Sequence, residues 1–218
     1  MKHAFGLHVP EKLEEICTPY RCALIVYDMQ VGIVPQISEG PAVLSRCQEL
    51  LTAARAGGFR VFFTRHLFLP NRAAGVGQLR RAMVWQRKTD PLETKPLFSQ
   101  SSRACQITPE LAPQDDEVVI DKITMSAFEG TFLNLALRDA HLDAFIIAGI
   151  ALEVGLEPTV RHGADLNYIP IVVTDACGSK TQQLKERSLA TLEETGEVIA
   201  LETSNLVPLM KRSTAVRN

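Results

Sequence analysis

Two charged residues close otherwise apolar, β-rich runs: Asp28 ends CALIVYD at 22–28, and Lys122 ends EVVIDK at 117–122. A carboxylate and an ammonium brought together at a half-buried strand end bias each other's protonation, as an acid–base pair requires. A structural ion pair, or two solvated strand ends, is the competing reading of the same residues. The third feature is AGIALEVGLEPT at 148–159. An apolar run ends there in small residues and a helix begins at once, with Gly155 in its first turn. Glycine is the weakest helix former short of proline, about 1 kcal/mol worse than alanine, and nothing about a helix start requires it.

Other candidates are weaker. Thr64-Arg65-His66 ends the run RVFFTRH at 60–66, but one imidazole without a neighbouring carboxylate or second histidine is a poor ligand set. His3, His8, His141 and His162 show no paired spacing, so no metal is expected. Asp175, at the end of IPIVVTD, reads as a cap for the turn into the next helix. The sequence holds no GxSxG elbow, no GxGxxG and no P-loop. Cys177, in the turn CGSK at 177–180, reads as packing rather than chemistry.

Six β-rich runs must position these residues: 22–28, 60–66, 117–122, 143–150, 169–175 and 197–202. Between several of them lie segments with helical spacing. Residues 41–56 put Val43, Leu44, Cys47, Leu50, Leu51 and Ala54 on one stripe, and 131–140, 154–166 and 181–195 also read as helices. Near-continuous apolar strands alternating with helices imply an α/β fold, a three-layer Rossmann-like architecture around a mostly parallel six-stranded sheet. In such a sheet ligands bind beyond the carboxyl ends of the strands, where Asp28, Lys122 and 150–155 fall. The exception to the alternation is 67–116, a polar connection with prolines at 70, 91, 96, 109 and 113. A connection that long is expected to serve as a lid or an oligomer contact. Its one tryptophan, Trp85, is expected at the pocket mouth or a subunit interface.

Composition bounds the function classes. A chain of 218 residues with 46% hydrophobic and 22% charged residues is expected to form one domain, 1–218 with its core at 20–205. A net charge of −2 argues against nucleic acid or an anionic membrane as a partner. The basic residues of 67–116 carry no interleaved aromatics for base stacking and read as a solvated face. No apolar run approaches the roughly 20 residues that span a bilayer, and the N-terminus is too polar for a secretory leader. Five cysteines without a CxxC pair fit a reduced, cytoplasmic compartment.

Read together and in order, Asp28-Met29-Gln30, Lys122 followed by Ser126-Ala127-Phe128 and Gly130-Thr131, Gly149-Ile150-Ala151 with Glu153-Val154 and Thr159-Val160-Arg161, and Val173-Thr174-Asp175-Ala176 resemble the isochorismatase-like hydrolases. That superfamily includes nicotinamidases and N-carbamoylsarcosine amidohydrolases. The resemblance covers about 20–205 and implies an enzyme with a catalytic set of Asp28, Lys122 and the residue at 155. It also implies a cis peptide at Ile150–Ala151, an oxyanion hole from the Ala151 and Gly155 amides, and Phe128 lining the pocket. At 155 relatives usually carry a cysteine nucleophile, and glycine cannot form a thioester. True isochorismatases also carry glycine there and hydrolyse a vinyl ether with an aspartate acid and water. In them glycine leaves room against a positive helix end. They tend to carry tyrosine where this chain has Ala151. The metal-binding aspartate of nicotinamidases falls at Thr64, although His66 persists.

The resemblance therefore implies a metal-independent, cofactor-free hydrolase of a small molecule, with Asp28 moving protons and Lys122 holding Asp28 and polarising the substrate. Water attacks a vinyl ether, amide or related C–N or C–O bond. The alternative is a small-molecule-binding protein on the same fold whose chemistry has decayed. Family habit adds a homodimer or homotetramer.

Overall fold

The computed structural model describes residues 2–212, so Met1 and 213–218 of the expected single domain lie outside the described residues. Strands β1 (Lys2–Ala4) and β2 (Leu7–Val9) form an antiparallel hairpin, followed by the single turn α1 (Leu13–Ile16). The alternation then begins with β3 (Cys22–Tyr27), α2 (Gly40–Gly57) and β4 (Arg60–His66). It continues through α3 (Val76–Gln86), β5 (Val118–Lys122), α4 (Leu133–Asp139), β6 (Ala144–Ile150) and α5 (Glu157–Asp165). It closes with β7 (Ile169–Gly178), α6 (Gln182–Glu194), β8 (Ile199–Leu201) and α7 (Thr203–Arg212). β3 to β8 make one six-stranded sheet in the order β5-β4-β3-β6-β7-β8, with every neighbouring pair parallel.

Side-chain alternation along the central strands feeds two cores. Leu24, Val26, Ile146 and Ala148 pack on one face against α2 and α7, through Val43, Leu50, Leu206 and Met210. Ile25, Tyr27, Phe145 and Ile147 pack on the other against α4, α5 and α6, through Leu133, Val160 and Leu192. Both faces of β3 and β6 are buried, which is why those strands read as unbroken apolar runs. Chain order runs outward from β3 to β5 and then returns to place β6 beside β3. The crevice beyond the carboxyl ends of β3 and β6 is therefore the topological switch point, where open α/β sheets bind ligands.

The connection 67–116 contains α3 and two short 3₁₀ turns, at Pro91–Glu93 and Arg103–Cys105. Glutamine amides hold it where strand ladders do not. Gln30 donates to the carbonyls of His66 and Cys105 and accepts from the His66 amide. Gln78 pairs both ways with the Leu69 backbone, and Gln86 does the same with Lys95. Each amide offers the donor and acceptor that a neighbouring strand would have supplied.

The helical spacings at 41–56, 131–140 and 181–195 correspond to α2, α4 and α6. The expected helix 154–166 is preceded by a π-helical turn, Leu152–Leu156, before α5 starts. The hairpin, α1, α3 and α7 lie outside the elements read from sequence. Asp175 does act as a cap, but for α7 rather than the next helix: its carboxylate accepts from the Thr203 amide and hydroxyl, each at 2.8 Å. Among the described residues no helix is long and apolar enough to cross a membrane.

Candidate active site

β3 ends one residue before Asp28, whose φ of +48° leaves the extended region. That left-handed turn, uncommon for a residue with a side chain, aims the carboxylate into a cavity of about 710 Å³ over the switch point. Asp28 is 4% exposed and its oxygens have separate partners. The Lys122 ammonium donates to Oδ2 at 2.7 Å, and the Thr64 hydroxyl donates to Oδ1 at 2.5 Å. Thr64 also accepts from the Asp28 amide at 3.1 Å, so one hydroxyl fixes both backbone and side chain. The structure thus joins Asp28 and Lys122 directly.

Lys122 is almost wholly enclosed, and burial pushes its pKa below the ordinary lysine value, with the Asp28 charge opposing the fall. Its three N–H donors are all spent: on Asp28, on the Tyr27 hydroxyl at 2.8 Å and on the Thr124 carbonyl at 3.2 Å. An ammonium has no fourth donor. Holding Asp28 is therefore within its reach, whereas the expected polarisation of substrate would require it to release a partner. Asp28 faces the cavity; Lys122 stands behind it.

The Ile150–Ala151 peptide is cis, and the first helical turn after β6 curls beneath the cavity. The amides of Val154, Gly155 and Leu156 all donate to the Ala151 carbonyl, at 3.3, 2.9 and 3.2 Å. This corrects the expected oxyanion hole. The π turn consumes the Gly155 N–H in its own closure, so the Ala151 and Gly155 amides are not a free pair of donors.

The expectation that Gly155 leaves open room is also corrected. A Cβ on Gly155 would lie 2.0 Å from the Tyr27 hydroxyl oxygen and 2.5 Å from the ring carbon bearing it. Tyr27 thus occupies that volume with its phenol, which donates to the Met125 carbonyl while accepting from Lys122. Burial and the nearby Asp28 charge push the phenol well above its ordinary pKa, so it stays protonated.

Of the two expected pocket-lining aromatics, Trp85 lines the cavity. Phe128 does not: it is buried and stacks on Tyr168 at 5.6 Å, with Phe145 at the same distance. Phe128 is a core residue because Ser126 and Thr159 tie its loop down onto α5.

Three further side chains shape the site without a sequence motif of their own. Tyr27 is the one polar-tipped side chain in the strand run and directly precedes Asp28. In the sequence Thr64 stands out only as the position where nicotinamidases carry a metal-binding aspartate. In the sequence His66 reads as a lone histidine, yet it is 3% exposed, lines the cavity, and neither ring nitrogen has a hydrogen-bonding partner among the described residues. Its ring lies 5.4 Å from Phe68, 5.9 Å from Trp85 and 6.4 Å from Phe98. Burial, then the Lys122 charge, hold it near pKa 4, so it is neutral at pH 7. The alternation that brings Thr64 and His66 to one side of β4 was the available signal. The thiol of Cys177 is buried, pushed up to about 12 and directed at the Ile147 carbonyl, away from this chemistry.

Comparisons with known proteins agree with this architecture. The isochorismatase domain model matches residues 22–203. The ureidoacrylate amidohydrolase RutB of Serratia proteamaculans is 29% identical over 199 residues, covering 84% of this chain and 80% of its own length. YwoC of Bacillus subtilis, an isochorismatase family protein, is 27% identical over 78% of this chain and 84% of its own. Among solved structures, a cysteine hydrolase from Pseudomonas syringae superposes with a TM-score of 0.78 at 25% identity, covering 90% of this chain and 95% of that one. N-carbamoylsarcosine amidase from Thermoplasma acidophilum shares the fold at a TM-score of 0.68 and 18% identity, over 84% and 96% of the two chains. A sheet crevice with a buried aspartate–lysine pair, and a family match spanning most of the chain, lead to one conclusion: this protein belongs to the isochorismatase family of hydrolases.

Proposed function

We propose that the protein hydrolyses a C–N or C–O bond of a small molecule by water attack, with Asp28 as the proton-transferring group and no covalent intermediate at position 155. One observation carries the reading. Of the bonded trio Asp28, Lys122 and Thr64, Asp28 is the member that faces the cavity, and its carboxylate keeps spare acceptor capacity while the other two hold it in place. With an amide or ureido substrate, Asp28 takes a proton from the attacking water and returns it to the leaving nitrogen. With a vinyl ether, it protonates the enol-ether carbon and water adds to the resulting cation. The names of the RutB relatives make the C–N bond the first to test.

The protein is assayed against N-carbamoyl compounds, ureido acids, simple amides and enol ethers, in ¹⁸O-labelled water with hydroxylamine as a trap for acyl-enzyme. The expected result is single ¹⁸O incorporation, no trapped adduct, and a loss of about 10²–10⁴ in rate for Asp28→Asn. Turnover that survives Asp28→Asn refutes the assignment. A second reading, a binding protein on a decayed site, draws support from the phenol filling the space beside Gly155. It prevails if none of these compounds is hydrolysed while some raise the Tm.

The reading keeps the expected setting: a small-molecule substrate, no nucleic acid, a cytoplasmic location and a homodimer or homotetramer. Buried thiols at Cys22, Cys47, Cys105 and Cys177 suit a reduced compartment. Residues 84–98, which wall one side of the cavity, fit the lid role of the long connection.

A further inference from the structure

We propose that Tyr27 and Gly155 are a matched pair. The phenol excludes any side chain at 155 and, from that place, acts as a positioning residue that keeps the Lys122 ammonium on Asp28.

The steric half rests on contacts that cannot relax cheaply. A Cβ at 155 would meet three atoms of the Tyr27 ring end, at 2.0, 2.5 and 2.6 Å, all below the closest approach of real Cβ atoms. Removing the hydroxyl alone would leave the ring carbons in the way. Nor can the ring swing aside. Tyr27 is 2% exposed, its hydroxyl is anchored to the Met125 carbonyl, and its backbone carbonyl abuts Gly149. A Cβ on Gly149 would lie 2.0 Å from that carbonyl oxygen, so the Tyr27 backbone is hemmed in by β6 as its ring is by Gly155.

The positioning half rests on the lysine. Its ammonium sits 4.3 Å over the Tyr27 ring centroid and donates to the phenol oxygen at 2.8 Å. The phenol therefore supplies one of three acceptors and a π-face, both of which favour the charged lysine in a buried setting. Met125 fixes the rotor: once the phenol proton points at that carbonyl, a lone pair is left for Lys122. Tyr27 acts through Lys122 and need not touch a substrate.

The proposal shares the site of the hydrolytic reading and rests on it only for the chemistry that the lysine supports. Two measurements test it without turnover. In a double-mutant cycle, Gly155→Ala should lower the Tm by roughly 3–10 °C with Tyr27 present, an overpacking penalty in a chain of this size. In the Tyr27→Val background, or Tyr27→Leu if that folds better, the same change should cost little or raise the Tm. Equal costs in both backgrounds overturn the steric half. For the positioning half, NMR with ¹³Cε-labelled lysine follows the Lys122 titration in wild type and Tyr27→Phe, which keeps the ring. Loss of one acceptor should move it to lower pH by about one unit or more, and an unmoved titration refutes the role. A coupled cycle in a protein without turnover would remove the hydrolytic reading and leave the pair. Turnover with additive costs would do the reverse.

Discussion

His66 gives the molecule a built-in sensitivity to acid that can be sized from its surroundings. The imidazole is enclosed by Phe68, Trp85 and Phe98, near the Lys122 charge, and its pKa falls from 6.5 to about 4. The folded protein thus holds His66 neutral, while the unfolded chain takes up a proton near 6.5. Between those values the unfolded state binds more protons, so stability is lost as pH falls through 6.5 and the loss is complete below about 4. The full difference corresponds to about 3 kcal/mol, of which roughly 2 kcal/mol is already lost at pH 5. The perturbation is His66→Phe, which keeps an aromatic ring in the same enclosure and cannot titrate. Urea unfolding of both proteins at pH 8, 6.5, 5.5 and 5 provides the comparison. The stability of wild type relative to His66→Phe should fall steadily across the series, by roughly 2 kcal/mol in total. Because the other titrating groups are common to both proteins, parallel curves would refute the reasoning and mean that His66 ionises as easily folded as unfolded.

Two further predictions concern the buried ion pair and the core. Lys122→Met strands the Asp28 carboxylate without its ammonium and should cost about 3–5 kcal/mol in urea unfolding at pH 7. Adding Asp28→Leu should recover most of that loss, because it is the uncompensated charge that destabilises. Phe128→Ala, at a stacked core position, should cost about 3–5 kcal/mol of stability. On any substrate found, it should leave KM nearly unchanged, whereas Trp85→Ala on the cavity wall should raise KM with little loss of stability.

Strands such as CALIVY and AFIIAGI, buried on both faces, were legible because periodicity and apolar continuity are properties of the local sequence. Asp28 and Lys122 were legible for the same reason, as charges that interrupt those runs. Local pattern also sufficed for α2, whose stripe faces one core. It failed for α7, where Pro208 lies inside a short helix that Leu206 and Met210 hold against α2. It failed again for the 67–116 connection, whose order comes from Gln30, Gln78 and Gln86 reaching backbone groups 9 to 75 residues away. Hydrogen bonds of that kind leave no period.

At the site, the sequence by itself determined which residue types stand at the strand ends, and hence that a carboxylate and an amine were available at one edge of the sheet. Only the tertiary structure decided what they could do. The order β5-β4-β3-β6 puts Thr64 and Lys122 on Asp28, and the Tyr27 phenol against Gly155. The physical reason is that a missing side chain looks the same in sequence whether it leaves space for a ligand or makes way for a neighbour. Tyr27 and Gly155 are 128 residues apart in the chain, and only parallel pairing of β3 with β6 brings them together.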